Sequence, residues 1–138
     1  MPFEVRGLCP LLQVYDMPTS MRFYCEVLGF EIVQRSQPGE EHFDWVWLRW
    51  NDADLMLNTA YEQDSRPEQR EPARVGSHGD TCLYFGCPDV DAAYAALKKK
   101  LPELKPPKVA WYGMKQMYLH DPDGYSICFQ WSSSEAKA

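Results

Sequence analysis

Apolar residues recur at strand or helix spacing in two successive blocks, and both blocks follow one plan. The first opens on an apolar run, Leu11-Leu12-Gln13-Val14-Tyr15. It passes Asp16 and enters an amphipathic stretch containing Ser20, Met21, Arg22, Phe23 and Tyr24. The second opens on Cys82-Leu83-Tyr84-Phe85, passes Asp89 and enters Val90-Asp91-Ala92-Ala93-Tyr94. Val90, Ala93, Tyr94 and Leu97 fall at i, i+3, i+4 and i+7, which predicts one apolar helix face. Asp16 and Asp89 predict N-caps, because a carboxylate accepts the free N–H groups of a first turn. Gly29 predicts the end of the first helix. Lys98, Lys99 and Lys100 suit the negative end of the second helix, and Pro102 limits it.

Three strand-like runs follow each helix. In the first block they are Phe30–Arg35, His42–Trp50 and Asp54–Thr59, the last two joined by a turn at Asn51-Asp52-Ala53. In the second they are Leu104–Ala110, Lys115–His120 and Tyr125–Trp131, with a strong turn signal at Asp121-Pro122-Asp123-Gly124. The chain thus reads as an internal repeat of β-α-β-β-β. Module one covers about residues 7–60, an exposed linker rich in Glu, Gln, Arg and Pro about 61–79, and module two about 80–131. The predicted class is α+β, a single domain of two βαβββ modules whose curved mixed sheets surround a cleft.

Strand alternation assigns faces. Leu12, Val14, Val46, Leu48, Leu55 and Leu57 point to the first core, and Leu83, Phe85, Met117, Leu119, Tyr125, Ile127 and Phe129 to the second. The opposite face then receives Cys9, Leu11, Gln13, Trp45, Trp47, Arg49, Asp54, Met56 and Asn58 from module one. Module two supplies Asp80, Cys82, Tyr84, Gln116, Tyr118, His120, Ser126, Cys128 and Gln130. Trp45, Trp47, Tyr84 and Tyr118 can stack on a planar ligand, while Arg49, Asp54, Asn58, Asp80, His120 and Gln130 can fix its polar groups. Some of these aromatics can equally serve a dimer interface. Trp111 and Tyr112, before Gly113, stand at a strand boundary where they could line a mouth.

Composition narrows the function classes. A net charge of −6 argues against nucleic acid, which demands a basic face, and is compatible with a cationic ligand. No apolar run reaches the length of a membrane span, and the N-terminus lacks a signal-peptide pattern, so a cytoplasmic location is expected. Five cysteines match no zinc-ribbon or CxxC spacing, which suits reduced thiols. Five Trp and eight Tyr are rich for 138 residues and suit an aromatic-walled cleft. Nucleophile-elbow, P-loop, GxGxxG and HExxH motifs are absent from the sequence.

The run Asp16…Ser20-x-x-Phe23-Tyr24…Leu28-Gly29-Phe30 resembles the first-helix signature of the vicinal-oxygen-chelate superfamily, the class of glyoxalases, bleomycin-resistance proteins and extradiol dioxygenases. Asp89-Val90-Asp91-Ala92-Ala93-Tyr94 resembles its second helix, and Asp121-Pro122-Asp123-Gly124-Tyr125 its last hairpin. The resemblance spans about residues 7–131 and implies this fold, not one activity. It also implies four metal-ligand positions, two per module, held by His, Glu or Gln in metal-using members. Here those positions are Cys9, Met56, Asp80 and Cys128. A hard divalent ion wants imidazole and carboxylate, so no metal is expected. Two thiols, a thioether and a carboxylate leave Zn²⁺ or Cu(I) open, and His78 could stand in for Asp80.

The expectation is a binding protein of this class. It would form a homodimer, hold a small planar organic molecule, and use neither cofactor, nucleic acid nor membrane. The alternative is a metal-dependent lyase, isomerase or dioxygenase. A metal-free enzyme would turn on His120 as general acid or base, though His120 can equally be a hydrogen-bonded residue before a turn. Cys128 with His120 is a nucleophile–base pair only on paper. His42 is expected to be exposed near a turn, and His78 to be a solvated loop residue.

Overall fold

The computed structural model describes residues 2–133. The chain divides into two compact units between Arg66 and Pro67. Among the described residues no helix is long and apolar enough to cross a membrane.

The first unit holds β1 (Leu11–Val14), helix α1 (Met17–Met21), β2 (Glu31–Arg35), β3 (Trp45–Trp50) and β4 (Ala53–Thr59). Helix α1 continues through wide π-type turns over Arg22–Leu28 and ends at Gly29, whose φ of 137° favours glycine. Asp16 caps α1 by accepting from the Thr19 N–H at 3.1 Å. The sheet order is β1-β4-β3-β2, with β1 parallel to β4 and the remaining pairs antiparallel. Leu12, Val14, Val46, Leu48, Leu55 and Leu57 are buried as alternation predicts, beside Phe23, Tyr24, Leu28 and Phe30. Each large aliphatic among them contributes about 1.5–3 kcal/mol of transfer free energy.

The second unit repeats the plan. Strand β5 (Cys82–Gly86) leads to α3 (Val90–Lys98), then β6 (Lys108–Val109), β7 (Met114–His120) and β8 (Ser126–Ser132). The order is β5-β8-β7-β6, again with one parallel pair, β5 with β8. Asp89 caps α3 through the Ala92 N–H at 2.9 Å. Lys98 closes the other end, its Nζ donating to the Leu104 carbonyl at 2.9 Å. Met117, Leu119, Tyr125, Ile127 and Phe129 are buried, whereas Leu83 and Phe85 are only half-buried.

Four sequence expectations need correction. The strand expected at Leu104–Ala110 shrinks to Lys108–Val109, because Pro106 and Pro107 cannot donate to a ladder. Strand β3 starts at Trp45, not His42, and His42 is half-buried beside the buried Phe43. The expected linker carries a 3₁₀ turn, Gln63–Ser65, and a helix α2, Pro72–His78, which Pro72 opens. His78 is no solvated loop residue: it ends α2 and stacks on Tyr125 at 4.0 Å with 8° between the rings.

Candidate functional site

The non-core face of the first sheet is ordered by its register. Gln13, Asn58 and Trp45 form one row, and Leu11, Met56 and Trp47 the next. Asp54 and Arg49 pair in the row beyond. Trp47 and Arg49 converge on one carboxylate. Asp54 Oδ1 accepts from Trp47 Nε1 at 2.8 Å and from Arg49 Nε at 3.0 Å, and the Arg49 guanidinium lies 5.0 Å from the Trp47 ring centroid. The Trp47 hydrogen bond is the main force holding the Asp54 carboxyl below its ordinary range, with Arg49 adding to it. Trp45, Trp47, Asp54, Met56 and Asn58 are half-buried, while Gln13 and Arg49 are exposed.

An open cavity of about 660 Å³ adjoins this face in the same unit. Its lining includes Asn58, which alternation placed correctly, and Asp44, Tyr61, Glu62 and Asp64, which were not singled out. The sequence signal for Glu62 and Asp64 was the acidic character of the segment after β4, whereas Asp44 precedes β3 and had none.

The second sheet offers a different face. Tyr84, Cys128 and Tyr118 form one row across three strands. The two hydroxyls are 3.4 Å apart, and the rings meet edge-on at 6.4 Å. Cys128 is fully buried under them, an outcome that face assignment alone could not give, since alternation states direction and not depth. Burial pushes the Cys128 thiol up, against a hydrogen bond with Tyr118 that lowers it. One row away, Gln116 Nε2 donates to Gln130 Oε1 and to the Tyr112 hydroxyl, both at 2.8 Å. Cys82, Ser126 and His120 form the opposite row, with His120 exposed. Trp111 and Tyr112 lie in the β6–β7 turn, Trp111 almost wholly exposed.

Asp80 departs from its expected place. Strand β5 begins only at Cys82, so the exposed Asp80 belongs to the turn after α2 and not to the strand face. His78, the proposed substitute, is committed elsewhere. Its Nδ1 lies 2.8 Å from the Asp123 carbonyl and its Nε2 3.2 Å from the Tyr125 hydroxyl. The carbonyl can only accept, so Nδ1 carries the proton and Nε2 accepts from Tyr125.

These facts bear on the metal positions of the class. The four residues that the resemblance implies there are a half-buried Cys9, a half-buried Met56, the turn residue Asp80 and the buried Cys128. Thiols ligate as thiolates, yet burial raises both Cys9 and Cys128. Among the described residues no group of three or more His, Cys, Asp or Glu could hold a metal ion. The donor set therefore does not fit a hard divalent cation.

Comparison with known proteins places the chain. It is 34% identical over 116 residues to the uncharacterized protein YaeR of Escherichia coli K12, covering 81% of this chain and 84% of that one. Its fold matches a bleomycin-binding protein from bleomycin-producing Streptomyces verticillus, solved with copper(II)-bleomycin, at a TM-score of 0.63 and 18% identity, covering 96% and 98% of the two chains. It also matches the virulence protein STM3117 of Salmonella typhimurium at a TM-score of 0.60 and 23% identity, covering 93% and 97%. Residues 9–129 match the Glyoxalase/Bleomycin resistance protein/Dioxygenase superfamily, and the chain belongs to that family.

Proposed function

We propose that this chain is a binding protein that holds a small planar organic ligand on its aromatic sheet faces without a metal. The observation that carries the reading is the exchange of chemistry on those faces. Soft, protonated or exposed groups stand at the family's metal positions, while Trp45 and Trp47 of the first unit offer flat walls beside Gln13, Arg49, Asp54 and Asn58, and Tyr84 and Tyr118 of the second share a face with His120. Aromatic walls with few polar anchors suit an organic ligand. The likeness in fold to a bleomycin-binding protein supports the same reading.

Two further parts belong to this proposal. Five free cysteines support a reducing, cytoplasmic setting. The exposed Ile32 and Val33 on edge strand β2 support a homodimer, since such an edge is otherwise open to pairing.

The test joins elemental analysis to ligand screening. The untagged protein is measured for metal as purified and after incubation with Mn, Fe, Ni, Zn and Cu(I). Planar organic ligands are screened by Trp fluorescence on the parent and on Trp45→Ala and Trp47→Ala. The reading expects no stoichiometric metal and ligand affinity lowered about tenfold or more by each substitution. A metal near one per chain, with turnover lost on chelation, would establish the lyase, isomerase or dioxygenase reading instead. Turnover that survives chelation and is lost in His120→Ala would make it a metal-free enzyme.

A further inference from the structure

The two sheet faces differ in their polar groups, and the difference specifies a ligand group. The first face centres on the Asp54 carboxylate and its Arg49 partner. On the second, the positions that share the Tyr84–Tyr118 face along β5, β7 and β8 carry thiol, hydroxyl, amide, thioether and imidazole groups. None is a carboxylate, in a chain whose net charge is −6. An electron-rich oxygen approaching this face meets donors and no like charge.

The phenols at its centre are placed to receive such an oxygen. Tyr84 and Tyr118 are 54% and 47% exposed, so about half of each residue is open to a ligand. At 3.4 Å the two oxygens are too far apart for a good O–H···O bond, which prefers about 2.7–2.8 Å. A third oxygen at that preferred distance from both would close a triangle, and each hydroxyl can turn its proton toward it. The register keeps both phenols in one row of the sheet, on either side of Cys128, which is a buried, uncharged floor. Donors fixed before the ligand arrives, over a dry floor, bind developing or full negative charge well. The long, weak contact with the Tyr84 hydroxyl, with burial second, raises the Tyr118 hydroxyl, so it stays a donor throughout the physiological range.

We propose that Tyr84 and Tyr118 form a neutral two-donor clamp for one electron-rich oxygen of the ligand, of the carbonyl, enolate or phenolate kind. This inference rests on the ligand-binding reading above and adds which group of the ligand is recognised, and by what.

The probes are 4-nitrophenol, whose absorbance reports its ionisation when bound, and naphthalene, a planar molecule without oxygen. Both are titrated into the full chain across pH 5–9, and into Tyr84→Phe, Tyr118→Phe and the double variant. Phenylalanine keeps each ring, and circular dichroism checks that the variants fold. The clamp expects the phenolate to bind about tenfold more tightly than the neutral phenol. Each single variant should remove most of that preference, while naphthalene affinity stays within about twofold. If 4-nitrophenol and naphthalene both bind but the phenolate has no advantage, or the advantage survives the double variant, the clamp is wrong and the binding reading stands. If neither probe binds up to its solubility limit, the binding reading fails and the clamp with it.

Discussion

The two modules share a plan and differ in what secures them. Module one centres its sheet face on a charged trio, Trp47–Asp54–Arg49, and turns from β3 to β4 through Asn51 and Asp52 alone. Module two carries a neutral face of phenols, amides and a buried thiol, and locks its last hairpin from outside. Helix α2 lies against that hairpin through His78 on Tyr125 and Val75 against Gly124, and Arg70, just before the helix, sits 3.7 Å from Asp123. Asp121 secures the turn from within, accepting from the N–H groups of Asp123 and Tyr125 at 2.9 Å each. Repetition of a supersecondary unit fixes the strands and helices. It leaves the sheet face and the outer turns to be filled differently in each copy.

The largest effect that would break this contrast is at Gly124. Its φ is +90°, and an added Cβ would lie 2.8 Å from Val75 Cγ1 and crowd the Val75 carbonyl. Gly124→Ala should destabilise the chain by about 3 kcal/mol, read by urea denaturation. The matching test in module one is Gly29→Ala, where φ is +137° but the nearest contact is the edge of the Trp50 ring at 3.4 Å. It should cost about 1–2 kcal/mol, and a cost equal to that of Gly124→Ala would show that α2 gives module two no special hold.

Removing the ring at the centre of the lock comes next. His78→Ala should lose about 1–2 kcal/mol, from two hydrogen bonds and a stacked ring, as measured by thermal unfolding with a matched urea series. The N-caps give a finer comparison. Asp89→Ala should cost about 1 kcal/mol, the ordinary value of a cap. Asp16→Ala should cost more, since Asp16 also accepts from the Thr19 hydroxyl and pairs with Arg66. A smaller loss at Asp16 than at Asp89 would mean that the Arg66 pair adds nothing.

The smallest effect is in acid and belongs to module one. The folded Asp54 carboxyl is held below its unfolded value, so its contribution is present above the ordinary aspartate range near 3.9 and is lost as pH falls through the lower, folded value. Trp fluorescence should show a transition on that acid side that disappears in Asp54→Asn. A transition unaltered by the substitution would detach Trp47 from Asp54.

Much of the fold was legible because strict alternation leaves little freedom. Val46, Leu48, Leu55 and Leu57 are buried as their spacing demanded, and both aspartate caps form as their positions implied. The short β6 was readable in principle from Pro106-Pro107. The candidate site was legible in direction only. Tyr84 and Tyr118 share a face as predicted, but nothing local says that they fall in one row, that their hydroxyls approach or that Cys128 lies sealed beneath. His78 was misread because its partners, Asp123 and Tyr125, lie 45 and 47 residues away and leave no periodic trace. Asp80 was misread because strand onset was taken two residues early, and α2 hides in a polar segment whose one helical cue is Pro72.

The buried Cys128 gives this protein a built-in reporter. Its sulfur is reachable only when the overlying side chains swing aside, so the rate at which a bulky thiol reagent modifies it measures local opening of that face. Ser replacements at the other four cysteines would leave one chemical clock. A molecule seated on the phenols should slow it in proportion to occupancy, so ligands without colour or fluorescence could be ranked by the minutes they add.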